Sequence, residues 1–375
     1  MNKKTLGILA CVIVLVCAAV FGGIYVTRNI GKSEKVISEE SAEKRLARMV
    51  DKINPETGTP VKSPIEYDSA EDEADELPDI DTCKVEVEAA TSLYAEIYSS
   101  PEKAGDGTDG WLNEMAEEFN GQGFQVGGEK VSVKIRNVNS GQALDYIATG
   151  KAVPEGFAPS SILWVDMLNA KGTATETISE SLVGNVAGIL LSKETNAQIV
   201  EKYGSVDLKA ITEATEAGEF AMGYTNPFAS SAGLNFLICT LERYDLNNPL
   251  SETATEGFQK FQKNVPFVAL TTMQMREAAE NGSLDGFIME YQSYINDPRL
   301  SNNYTFTPYG YRHDNPLVCV DSISPEKKEI LSLFAEYCAS DKAKARATEY
   351  GFNSMEDYTC EYEPVSGDIL TAAQK

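Results

Sequence analysis

The stretch Met222 to Leu237, MGYTNPFASSAGLNFL, decides how the rest of the chain is read. Phe220 to Tyr224 is apolar enough for a buried strand, and Asn226-Pro227 stops it. Ser230, Ser231 and Gly233 are small, and Leu234, Leu237, Ile238 and Leu241 follow at helical spacing. The order is therefore strand, small-residue loop, helix start. The first turn of a helix presents unpaired N–H groups and partial positive charge, and a small-residue loop lets a polar ligand approach them. A serine N-cap on an ordinary structural helix is the competing reading of the same residues.

The same signature recurs on both sides of this stretch. Ala89 to Tyr98 reads as a strand ending in Ser99-Ser100-Pro101, followed by a helix with Trp111, Met115 and Phe119 on one face. Val131, Val133 and Ile135 alternate as a strand that ends in Asn137-Val138-Asn139-Ser140-Gly141, before a helix carrying Leu144 and Ile147. Ala158-Pro159-Ser160-Ser161 leads into the apolar segment Ile162 to Leu168, and Val186 to Leu191 is a continuous apolar strand. Helices are expected around Asn196–Tyr203, Leu208–Glu216 and Met273–Glu280. Phe287-Ile288-Met289 is a strand running into Glu290-Tyr291-Gln292, and Leu317 to Val320 is another. Glu326 to Ala339 and Asp341 to Tyr350 are helices, the second with Asp341 as its N-cap. This alternation predicts parallel sheets flanked by helices. Ligands of such sheets collect at the carboxyl ends of strands, where all these polar loops fall.

Composition narrows the chemistry. The chain has 375 residues, 42% hydrophobic and 24% charged, with a formal net charge of −25. That balance argues against nucleic acid or anionic lipid as a partner, since both need a basic face. The single histidine, His313, leaves no multi-histidine metal site, and a Ser-His-Asp triad only around that residue. No catalytic residue, metal ligand or cofactor is assigned. Seven cysteines contain no CxxC pair, and Cys239, Cys319 and Cys338 sit in apolar patterns that suit buried free thiols.

Residues 1–27 carry an uncharged run, Leu6 to Val26, long enough to span a bilayer as a signal anchor. A cleavable signal peptide ending near Val20-Phe21-Gly22 is the competing reading. Either places the remainder outside the cytoplasm, and the anchor would hold it at the cell membrane. Residues 28–84, with Pro55, Pro60 and Pro64 ahead of an acidic run from Glu71 to Asp81, read as a disordered acidic stalk.

From about Tyr94 to Phe352 the order of segments resembles type II periplasmic solute-binding proteins, the molybdate/sulfate-binding branch in particular. Ile97-Tyr98-Ser99-Ser100 and Asn139-Ser140-Gly141-Gln142-Ala143 resemble its first two ligand loops. Val183 to Ile189 resembles the strand crossing into the second lobe, and Asn226 through Gly233 the anion-contacting helix start. Asp285 to Tyr291 resembles the strand carrying the last ligand residue, and Ala343 to Phe352 the closing helix. The sequence is also similar to binding domains found fused to von Willebrand factor A modules, although it has no such module. The resemblance implies an α/β fold of two lobes with a hinge: residues 85–188 and 315–362 in lobe 1, 189–314 in lobe 2, and a tail at 363–375. It implies a small polar ligand, an oxyanion in the parent branch, held by Ser99, Ser100, Ser140, Gly141 and Ser160 from lobe 1. Asn226, Ser230, Ser231, Ala232, Gly233, Glu290 and Tyr291 would hold it from lobe 2. An ABC permease or a sensor would be the partner. Glu290 departs from the pattern, because a carboxylate repels a fully ionised oxyanion and suits a protonated phosphate, an amine or a sugar hydroxyl.

Two other classes fit parts of the chain. A surface structural or adhesive module would keep the fold with a vestigial cleft. A serine acyl-transferring enzyme would use an SxxK pair, and both Ser100-Pro101-Glu102-Lys103 and Ser324-Pro325-Glu326-Lys327 match. In the binding-protein reading, Lys103 is the one basic residue near the predicted loops.

Overall fold

The apolar segments become two separate mixed sheets in a computed structural model that describes residues 77–375 apart from Leu270, Thr271, Gly282, Ser283, Asp321 and Ser322. The expected membrane segment and the stalk as far as residue 76 lie outside the described residues. The strands are β1 (Val85–Val87), β2 (Leu93–Ser99), β3 (Gln125–Val126), β4 (Glu129–Asn137), β5 (Gly156–Ala158), β6 (Thr175–Ser179), β7 (Asn185–Ser192), β8 (Met222–Thr225), β9 (Phe267–Ala269), β10 (Gly286–Glu290), β11 (Tyr304–His313) and β12 (Leu317–Val320). The helices are α1 (Pro101–Ala104), α2 (Trp111–Gln122), α3 (Ser140–Thr149), α4 (Ile162–Ala170), α5 (Lys193–Tyr203), α6 (Leu208–Glu216), α7 (Ser231–Tyr244), α8 (Glu252–Gln262), α9 (Thr272–Glu280), α10 (Tyr291–Asn296), α11 (Pro298–Asn303), α12 (Pro325–Cys338), α13 (Asp341–Glu349) and α14 (Gly367–Ala373).

The first lobe is built on the order β1-β4-β2-β5-β12-β6, with β3 paired to β4, and the second on β11-β7-β10-β8-β9. The alternation predicts parallel sheets, and the structure has mixed ones. Among the described residues, only β4-β2-β5 and β10-β8-β9 run parallel. The chain leaves lobe 1 between β6 and β7 and returns between β11 and β12. The strands next to these crossings meet their neighbours antiparallel: β12 against β5 and β6, β7 against β10 and β11.

Two asparagines pin the crossings. Asn315, buried and at φ +48°, donates from its side chain to Val183 O (3.1 Å) and His313 O (2.9 Å), and its own carbonyl accepts from Leu182 N at 3.0 Å. Asn353, at φ +58°, accepts from Gly184 N and donates its backbone N–H to Gly184 O, both at 2.8 Å. Asparagine tolerates the left-handed region better than most residues because its short side chain bonds locally.

Other details shift the sequence reading. The first long strand starts at Leu93 rather than Ala89. The cap of α13 is Ser340, whose side chain accepts from Ala343 N, so Asp341 is the first helical residue rather than the cap. Residues 77–84, read as the end of the stalk, pack against the folded core through Leu77, Ile80 and Cys83, and Arg136 donates to the carbonyls of Ile80 and Cys83. Cys239, Cys319 and Cys338 are buried free thiols. Among the described residues, no helix is long and apolar enough to cross a membrane.

Candidate binding cleft

A cavity of about 230 Å³ lies between the two sheets, beyond the carboxyl ends of their parallel strands. After β2 it is walled by Pro101, Glu102, Gly105, Asp106 and Asp109, and after β4 by Asn137, Asn139 and Ser140. Lobe 2 supplies Ala229 and Ser230 after β8, Thr272 and Arg276 after β9, and Ser293 after β10. Each strand ends in a polar turn, so one end of each sheet carries the functional surface. Drug-sized pockets run to about 300–1,000 Å³, so this one suits a smaller ligand.

Charge is concentrated in that wall. Pro101 at the first helical position starts α1 and turns Glu102 inward, where it is only 8% exposed. Glu102 Oε2 accepts from Ser160 Oγ at 3.0 Å. Burial pushes the Glu102 carboxyl above its ordinary range, and the nearby Glu290 charge adds to the shift. Asp109 is also pushed up by burial, against the opposing pull of Arg276, whose guanidinium lies 3.3 Å away. Gln292 Nε2 reaches over from lobe 2 to Asp109 Oδ1 (3.0 Å) and Thr108 O (2.7 Å). Behind Thr272 stands Glu290, fully buried, with Oε2 3.5 Å from Thr272 Oγ1 and Oε1 without a hydrogen-bond partner.

His313 Nδ1 lies 3.6 Å from that oxygen. The tautomer follows from Asn235, whose Oδ1 accepts from Tyr311 N (2.9 Å) and whose Nδ2 donates to Tyr311 O (2.8 Å). Asn235 Nδ2 also lies 3.1 Å from His313 Nε2, so in the neutral ring Nε2 accepts and the proton sits on Nδ1, facing Glu290.

Of the residues predicted to contact ligand, Ser140 and Ser230 line the cavity. Ser231 Oγ instead accepts from Trp164 Nε1 of lobe 1 at 2.8 Å. Gly141 N donates to Ala229 O at 3.3 Å, and a Cβ at Gly141 would stand 1.8 Å from Phe228 O. Gly233 is held as tightly, 2.1 Å from Thr225 O on the same measure, and Ala232 O accepts from Tyr309 OH. Asn226 Oδ1 closes its own turn on Phe228 N, while Tyr291 packs edge-on against Phe306. Ser160 supports Glu102, Ser100 Oγ accepts from Lys103, and Ser99 Oγ is buried without a partner. Sequence reasoning missed Glu102, Asp109, Thr272 and Arg276. Lys103 is absent from the cavity lining, and Arg276 is the basic residue among the described residues that line it. Thr272 and Arg276 stand four apart at a helix start after a strand, and that spacing was a readable sign of a shared face.

The SxxK pairs do not form a nucleophile and base. Lys103 is pushed down to about 7 by burial, but its ammonium donates three times, to Ser100 Oγ (2.7 Å), Ala158 O (2.8 Å) and Pro159 O (3.2 Å). Three acceptors occupy three N–H bonds and hold the protonated form, which has no lone pair to take a serine proton. Ser324 caps α12 by accepting from Lys327 N at 3.3 Å.

Comparison with known proteins agrees with this architecture. The sequence profile of the bacterial extracellular solute-binding proteins matches residues 104–353. Among solved structures, the sulfate-binding protein SubI from Mycobacterium tuberculosis H37Rv is 13% identical, with a TM-score of 0.51, over 70% of this chain and 88% of that one. A periplasmic thiamin-binding protein is 11% identical with a TM-score of 0.54, over 76% and 95%. Iron-bound HitA from Pseudomonas aeruginosa is 11% identical with a TM-score of 0.52, over 75% and 97%. At such identities the likeness is one of fold. A comparison with curated protein sequences finds no match.

Proposed function

The chain belongs to the bacterial extracellular solute-binding proteins, which bind rather than catalyse, and from that premise we propose that it captures a small polar ligand, of about the size of an oxyanion, between its two lobes. The observation that carries this reading is the cavity at the carboxyl ends of both sheets, to which each lobe contributes polar residues. Delivery to an ABC-type permease, or signalling through a sensor, is the corresponding role. The apolar run Leu6 to Val26 tethers the binding region outside the cytoplasm at the cell membrane. Mass spectrometry of the mature protein tests the tether, and an N-terminus near Gly23 would refute it.

A thermal-shift screen over oxyanions, sugars, amino acids and polyamines tests the binding role. A ligand at about 100 times its dissociation constant adds roughly 2.7 kcal/mol to stability. The shift should vanish in Asp106→Trp, which crowds the cavity from a side chain that is 84% exposed in the native protein. A hit that persists in that variant places the ligand elsewhere.

One observation favours a surface module with a vestigial cleft. A single buried apolar cluster includes Leu144, Leu163 and Trp164 of lobe 1, Ile189, Ile211 and Phe236 of lobe 2, and Leu370 of α14. Opening such a contact exposes apolar surface. Small-angle scattering that shows one unchanging envelope with and without a bound ligand would support this second reading.

A further inference from the structure

We propose that the ligand carries a protonated amine or another small organic cation, received between Glu102 of lobe 1 and Glu290 of lobe 2. This inference rests on the binding reading just given and names its ligand class. Among the described residues, the cavity wall holds three carboxylates, Glu102, Asp109 and Asp106, the last paired with Lys84 at 3.0 Å, against one guanidinium, Arg276. That guanidinium is already committed to Asp109, at 3.3 Å, within a contact between the lobes. The buried ammonium of Lys103 is turned to Ser100, Ala158 and Pro159 and is absent from the wall.

Glu290 supplies an independent sign. It is fully buried, its Oε1 has no hydrogen-bond partner and faces His313 Nδ1 at 3.6 Å, and its Oε2 lies 3.5 Å from the hydroxyl of Thr272, a residue of the cavity wall. A wholly buried carboxylate oxygen left unpaired is costly, and a donor arriving in the cleft is the partner that relieves it. Glu102 offers the matching carboxylate from the opposite lobe, fixed by Ser160. A cation placed between two carboxylates in a water-poor cleft is attracted by both, whereas a dianionic oxyanion there is repelled by both. Closure would bring the second carboxylate to the ligand, which couples recognition of positive charge to the meeting of the lobes.

The test is a thermal-shift and calorimetric panel on the full chain with ethanolamine, choline and 1,4-diaminobutane beside molybdate, sulfate and glucose. The expected result is a rise in Tm on the order of 5 °C with at least one amine near saturation and no rise with the oxyanions. Glu290→Gln should weaken that amine roughly tenfold or more, as expected when a charge-assisted bond becomes a neutral one. Glu102→Gln should do the same, and Glu290→Gln gives a second reading should loss of the charge beside buried Lys103 impair folding. Molybdate or sulfate stabilising the wild type, with tighter binding in Glu290→Gln, overturns the charge class while leaving a ligand in the cleft. Glucose alone stabilising it also overturns the charge class and leaves the cleft reading standing. If neither this panel nor the broader screen moves the wild-type Tm, both the charge class and the binding role fall.

Discussion

The helix start at Ser230–Gly233 and the segment Pro101–Asp109 face the same cleft, and they use their polar groups in opposite ways. The first was the more persuasive ligand site in sequence, with small residues, hydroxyls and the N–H groups of a helix start. In the structure it mostly holds the lobes together: Ser231 accepts from Trp164, Ala229 O accepts from Gly141 N, and Gly233 lies against the Thr225 backbone. The second segment matches an SxxK pair in sequence, yet its Glu102, Asp106 and Asp109 line the cavity. The helix start is satisfied by uncharged groups across the lobe contact, whereas the carboxylates of the second segment are held by Ser160, Lys84 and Arg276 and still line the cavity.

The largest effect that could break this contrast is expected at Gly141. Valine there would drive its side chain into the Phe228 carbonyl, so Gly141→Val should cost about 3 kcal/mol or more and hold the lobes apart. Denaturant unfolding and small-angle scattering check both parts. A variant of native stability and native envelope would show that the lobe contact is not tight.

Ser231→Ala comes next. It leaves the buried Trp164 N–H unpaired and should cost about 1–3 kcal/mol, seen as a lower denaturation midpoint. A ligand residue with no structural role would instead lose affinity at unchanged stability.

The dependence on pH sharpens the other half of the comparison. Burial raises the folded-state pKa of both Glu102 and Asp109. For such acids the folded form binds protons more tightly than the unfolded form, so their contribution to the empty protein is most favourable below the ordinary carboxylate range. It declines as pH rises through their raised values. Capture of an amine needs the ionised carboxylates, so affinity should fall as pH drops through those same values. Titration calorimetry run upward in pH from the ordinary carboxylate range should show amine binding strengthening while the stability contributed by these groups weakens. Parallel trends would contradict the assignment.

Ser99→Ala is the smallest change expected. Its hydroxyl is buried without a partner, so removal should alter stability by no more than about 0.5 kcal/mol. A large loss of ligand affinity in that variant would bring the ligand as far as β2 and move the site away from Asp109.

Much of the architecture was legible because strand, polar loop and helix recur with clear changes of period. The order of loops along the chain also pointed to one cleft at the carboxyl ends of strands. The strand Tyr304–His313 was not legible, since Pro308 and Gly310 interrupt it. It tolerates both because it is the edge of its sheet and its register shifts between Pro308 and Arg312. Strand direction was misjudged because a crossing between lobes leaves no local mark on the residues. Ser140 and Ser230, singled out as polar residues of loops after strands, line the cavity. The engagement of Ser231 by Trp164, 67 positions away, depends on how the lobes meet. The approach of Arg276 to Asp109 depends on it too, and no window of sequence contains that information.

Hydrogen exchange with and without the ligand that gives the largest thermal shift tests the central claim most directly. The account predicts ligand-dependent protection of backbone amides in two segments, residues 101–109 of lobe 1 and residues 272–276 of lobe 2, at the cavity that both lobes wall. Protection confined to a single lobe, or centred on a surface away from these segments, would contradict capture between the lobes.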